Sequence, residues 1–163
     1  MEDDGEGSVH SQDVENGITT DNTLTAKPAR PAATEPIWVL IADDDDEIAH
    51  VVALVVEYTG YVPLVALNGR QALELARAYR PALVITDLVM PEVDGARLIG
   101  SLRAEAAAGG FVAPPIILMS AMRREHMPDV GADAVLSKPF LVAALEHLLR
   151  HFLGGAAGDA PSD

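Results

Sequence analysis

A chain of 163 residues has room for one ordinary domain plus tails, and 49 % apolar residues are enough for a real core. A net charge of −14 without a basic stripe argues against DNA and against anionic membrane surfaces as partners. The absence of cysteine excludes disulfides and thiolate metal sites. With no secretory leader and no apolar run of membrane-spanning length, a cytoplasmic protein is expected.

Residues 1–36 are polar, acidic and close on a proline-rich stretch; too little apolar surface is present to offset ordering, so disorder is expected there. Ile37 to Ala42 is a continuous apolar run, as in a strand buried on both faces. It ends in Asp43-Asp44-Asp45-Asp46-Glu47. Asp46 is the expected helix cap, with Ile48, Val51, Val52, Val55 and Tyr58 on the inward stripe, and Gly60 ends the helix. Val62–Ala66 reads as a second strand. Asn68-Gly69 is a turn, and Gln71–Tyr79 a helix with Ala72, Leu75 and Ala76 inward. Leu83–Thr86 is a third strand ending on Asp87. A helix from Gly95 to about Ala107 follows, with Leu98, Ile99 and Leu102 inward. Ile116–Met119 is a fourth strand. Pro128 allows at most a short helix after Ser120, Ala134–Leu136 is a brief fifth strand, and a last helix carries Leu141, Leu145, Leu148 and Phe152 on one stripe. Residues 154–163 form a Gly/Ala-rich tail, so the folded domain is expected over 37–153.

Strands that alternate with helices predict an α/β fold, an open doubly wound parallel sheet. Ligands in such folds sit at the carboxyl ends of the strands. The residues that follow strands one, three, four and five are Asp43 with Asp44, Asp87, Ser120 and Lys138. Three carboxylates, a hydroxyl and an ammonium thus meet on one rim. Clustered carboxylates repel one another, and a hard divalent cation such as Mg²⁺ relieves this. Lys138 and Ser120 suit phosphoryl oxygens, and Asp87 is a nucleophile able to form an aspartyl phosphate. The chain has two lysines, Lys27 and Lys138, against nine arginines, which favours a chemical role for the lysine before Pro139.

From Val39-Leu40-Ile41-Ala42-Asp43-Asp44-Asp45, Thr86-Asp87 through Met90-Pro91, Asp94-Gly95, Leu118-Met119-Ser120-Ala121 and Gly131-Ala132-Asp133…Lys138-Pro139-Phe140, the chain resembles the receiver domain of bacterial two-component response regulators. The resemblance spans about residues 37–153. It implies a five-stranded sheet in the flavodoxin-like order 2-1-3-4-5 with helices on both faces, to which the Pro128 segment adds the expectation of a short fourth helix. It implies that Asp43, Asp44, Asp87 and the backbone carbonyl of Val89 hold Mg²⁺. Asp87 would take phosphate from a phosphohistidine of a sensor histidine kinase or histidine phosphotransfer protein, and Ser120 and Lys138 would bind the phosphoryl group. The expected protein is a stand-alone phosphoacceptor switch or relay, not an enzyme proper. It would act on an unknown downstream protein by contact. Two features depart from the family pattern. Val135 stands where an aromatic is common, three residues before the lysine, and the Ala121–Gly131 segment is shorter than usual and holds Pro128.

Two other functional classes compete. A small-molecule phosphatase could use the same groups, but the haloacid-dehalogenase type wants an acid two residues after the nucleophile, where this chain has Val89. A degenerate receiver would serve only as an interaction module. His147 and His151, one turn apart, read as cations near a helix C-terminus rather than metal ligands. The apolar excess over Val51–Val56 suggests a docking face for a partner helix.

Overall fold

The structure, a computed structural model, describes residues 35–154. The expectations for the two terminal segments therefore lie outside the described residues, apart from exposed Glu35, Pro36 and Gly154. Five strands, β1 (Trp38–Ala42), β2 (Val62–Ala66), β3 (Leu83–Asp87), β4 (Ile116–Ser120) and β5 (Ala134–Ser137), form one parallel sheet in the order β2-β1-β3-β4-β5. Four helices connect or follow them: α1 (Asp46–Tyr58), α2 (Gly69–Tyr79), α3 (Gly95–Gly109) and α4 (Val142–Leu153).

The continuous apolar runs are divided by the pleat. Val39, Ile41, Leu83, Ile85, Ile117 and Met119 pack toward α1 and α4. Leu40, Ala42, Val84, Ile116 and Leu118 pack toward α2 and α3, against Ala72, Leu98, Ile99 and Leu102. Both faces of the three central strands are therefore sealed, and each fully buried large side chain contributes about 1.5–3 kcal/mol. A sheet buried on both faces can bring polar groups to a ligand only at its rim.

Several local expectations are corrected. The cap of α1 is Asp45, whose carboxylate accepts from the N–H groups of Glu47 (3.0 Å) and Ile48 (3.2 Å), and Asp46 is the first helical residue. The buried stripe of α1 runs through Ala49, Val52, Ala53 and Val56 with Val55, leaving Val51 46 % and Tyr58 82 % exposed. Small alanines set the packing face here, and a stripe counted on large residues passes over them. Helix α2 begins at Gly69, capped by Asn68. Leu141 is the extended residue before α4 and stands 77 % exposed; Leu145 and Leu149 are buried, and Leu148 and Phe152 pack partly buried against the same core. Between β4 and β5 the expected short helix is a single 3₁₀ turn, Arg124–His126, ahead of Pro128. Among the described residues no helix is long and apolar enough to cross a membrane.

Candidate functional site

Parallel register brings the strand ends level. Ala42 pairs with Thr86, Asp87 with Met119, and Ser120 with Ser137. Hydrogen bonds just past the strands hold the rim: Asp43 N–H to the Ala66 carbonyl (3.1 Å), Leu88 N–H to that of Met119 (3.1 Å) and Lys138 N–H to that of Ser120 (2.8 Å). The backbone at Asp43, Asp87, Ser120 and Lys138 is thereby set by the sheet rather than by loops. The Lys138–Pro139 peptide is cis.

The Lys138 ammonium lies 2.8 Å from Asp43 Oδ2 and 3.3 Å from Asp87 Oδ1, joining the ends of β1, β3 and β5. Asp43 is fully buried, and its other oxygen accepts from the Asp45 N–H at 2.9 Å. Asp87 Oδ1 accepts from the Leu88 N–H at 2.9 Å. Oxygens of Asp43, Asp44 and Asp87 lie within 4.8 Å of one another, with Asp44 exposed and Asp87 half-buried. That set fits a hard cation: the donors are all oxygen, and one lysine cannot balance three carboxylates. Ser120 is 3 % exposed, and its Oγ accepts from the Met122 N–H at 3.0 Å. Val89 stands 67 % exposed in the loop after β3. His147 and His151 lie on α4, outside this group of carboxylates.

Electrostatics follow from burial. Desolvation raises the Asp87 carboxyl above its ordinary value, and the Asp43 charge adds to this. Lys138 and the Leu88 N–H oppose it without cancelling it. Burial alone lowers Lys138, but its hydrogen bond to Asp43 and the two carboxylate charges overcome this and raise it. The result is a reluctant carboxylate beside a firmly protonated ammonium.

Two supports escaped the sequence. Thr86 Oγ1 donates to the Asp87 carbonyl at 2.9 Å. A Cβ on Gly95 would lie 2.2 Å from that same carbonyl oxygen and 3.0 Å from Leu88 Cα. Gly95 therefore lets α3 start against the backbone that carries the nucleophile, and its N–H donates to the Leu88 carbonyl at 2.9 Å. The Asp94-Gly95 pair signals a turn and a cap, both present, with Asp94 accepting from the Arg97 N–H. The close approach has no signature in a lone sequence.

The response regulator receiver domain family model matches residues 39–150. The response regulator Rre1 of Synechocystis sp. is 34 % identical over 136 residues, covering 79 % of this chain and 58 % of that protein. The response regulator MprA of Mycolicibacterium vanbaalenii is 33 % identical, over 78 % of this chain and 54 % of that protein. The chain thus spans little more than half the length of these relatives. Among solved structures, the receiver domain of the Francisella response regulator 1452 superposes with a TM-score of 0.63 at 30 % identity, covering 71 % of this chain and 95 % of that one. The chemotaxis protein CheY4 of Vibrio cholerae gives a TM-score of 0.63 at 27 % identity, over 72 % and 98 %. Receiver domains are phosphoacceptor signalling domains rather than enzymes in the usual sense. They bind Mg²⁺ in an acidic pocket and interact with histidine kinases or phosphotransfer proteins. With the family match covering most of the chain and the five strands in the order β2-β1-β3-β4-β5, this chain belongs to the response regulator receiver domain family of two-component signalling.

Proposed function

We propose that residues 37–153 are a working phosphoacceptor unit in which Asp87 is the nucleophile. The observation that carries this is the Lys138 ammonium shared between buried Asp43 and half-buried Asp87 on a rim that also holds Ser120. A carboxylate oxygen of Asp87 attacks the phosphorus of a phosphohistidine. The new O–P bond forms as the P–N bond breaks, and the imidazole nitrogen leaves with the electron pair and takes up a proton. Lys138 and the Ser120 hydroxyl hold the oxygens of the transferred group. Asp43, Asp44, Asp87 and the Val89 carbonyl are the ligands assigned to Mg²⁺. When bound, that ion supplies charge stabilisation for the incoming phosphoryl oxygens.

The donor is a sensor kinase or a histidine phosphotransfer protein that docks on α1. Val51 and Leu54 are half-exposed there. A groove of about 500 Å³ runs from Glu47, Ile48 and Val51 to Pro139, Phe140 and Val142, with Lys138 at its edge. An apolar helix laid in it would reach the acceptor. The signal passes onward by protein contact. Val89 stands where a second acid would be needed two residues after Asp87, which leaves a small-molecule phosphatase without support.

The test is transfer of a radiolabelled phosphoryl group from a phosphotransfer protein. Label should move to the chain, be released by hydroxylamine as an acyl phosphate, and be absent in Asp87→Asn. Label on histidine, or label retained in Asp87→Asn, contradicts the assignment.

A further inference from the structure

At the opposite end of the sheet a second groove of about 420 Å³ opens between the C-terminal ends of α2 and α3. Arg80 and Pro81 lead into β3, and Phe111 to Pro114 precede β4, so a strand of five residues, about 16 Å, separates it from the phosphoacceptor rim. Leu102, Phe111 and Pro114 give it apolar walls, and Val112 stands 93 % exposed at the lip. Arg77 and Glu105 close one side as a two-point ion pair, with Arg77 Nε 3.0 Å from Glu105 Oε2, so each satisfies the other's charge. Arg80 is different. It has left-handed backbone (φ 49°), its guanidinium carbon sits 5.3 Å over the Phe111 ring, and no carboxylate among the described residues pairs with it. In an acidic protein, an arginine held on an aromatic wall without a counter-ion is a fixed positive charge beside an apolar slot.

We propose that this groove docks a peptide segment of a partner protein that carries a large apolar side chain next to an aspartate or glutamate. The apolar side chain fills the slot against Leu102 and Phe111, and the carboxylate pairs with Arg80. The groove is open along one side and its lip is formed by an exposed side chain, which suits a chain running across it. A partner seated there leaves Asp87 accessible, so one receiver can hold this partner while it exchanges phosphate at the other end.

The test selects peptides from a random phage-displayed library on the full chain and maps the synthetic winners by amide NMR. Enriched peptides should combine an aromatic or large aliphatic residue with Asp or Glu, and should shift amides over Ala76–Ala82 and Leu102–Val112. Replacing their acids by Asn or Gln should weaken binding to the wild-type chain about fivefold and leave binding to Arg80→Gln unchanged. Val112→Asp should weaken all of them, with acetyl phosphate modification of Asp87 as in wild type. The proposal is overturned if no peptide enriches, if winners lack acids or shift only other faces, or if free N-acetyltryptophan binds as tightly as the peptides. It is also overturned if the chain self-associates through this groove, as shown by sedimentation that Arg80→Gln abolishes.

Discussion

At the residue scale the site is governed by a buried aspartate that depends on its lysine. Asp43 is fully buried and Lys138 is its partner at 2.8 Å. Removing one member of such a pair leaves an uncompensated charge, so Lys138→Met should destabilise the domain by about 3 kcal/mol in chelator, read by urea denaturation. Mg²⁺ should recover part of the loss if Asp43 is a ligand. Asp87 behaves in the opposite sense. Its folded value lies above the ordinary 3.8, so its ionisation opposes folding. That contribution is favourable below the unfolded value and lost as pH rises through the folded one. Asp87→Asn should therefore raise Tm in chelator at neutral pH, a gain that shrinks toward acid pH where wild-type Asp87 is protonated.

At the element scale, Gly95 and the β4–β5 connection matter most. Alanine favours helices over glycine, so Gly95→Ala would be stabilising on propensity alone. The 2.2 Å approach of its Cβ to the Asp87 carbonyl predicts the reverse: a loss of about 2 kcal/mol and slower phosphorylation as α3 is pushed off the site. Arg103 on α3 bonds the Gly131 carbonyl and lies 3.2 Å from Asp133 Oδ2, and that carboxylate accepts from the Ile116 N–H at 2.8 Å. This tie holds a connection that carries only a 3₁₀ turn. Arg103→Ala should therefore speed amide hydrogen exchange over 121–133 well before it affects the β-sheet. On α1, Leu54→Asp should slow transfer from a protein donor at least about tenfold, a loss of about 1.4 kcal/mol, while acetyl phosphate modification stays unchanged. Equal effects on both donors would remove α1 as the docking face.

Across the whole molecule, the strands were legible because unbroken apolar runs ending on single polar residues fit little else than strands of a sheet sealed on both faces. Asp43, Asp87, Ser120 and Lys138 could be placed together from topology alone, since parallel strands put all their carboxyl ends on one edge. Three things were not legible. The capping role of Asp45 rather than Asp46 depends on one residue's backbone angles within a run of like residues. The inward face of α1 is set by Ala49 and Ala53, whose small size hides them from a count of large apolar residues. The contact of Gly95 with Asp87 and the tie from Arg103 to Asp133 join positions distant in the chain, and a single sequence carries no record of such distances.

The most direct test is incubation of the chain with acetyl phosphate and Mg²⁺, followed by a phosphate-affinity mobility-shift gel. A single shifted species is predicted, absent with EDTA and absent in Asp87→Ala. An unshifted wild-type chain, or a shift that survives Asp87→Ala, would contradict the assignment of Asp87 as the phosphoacceptor.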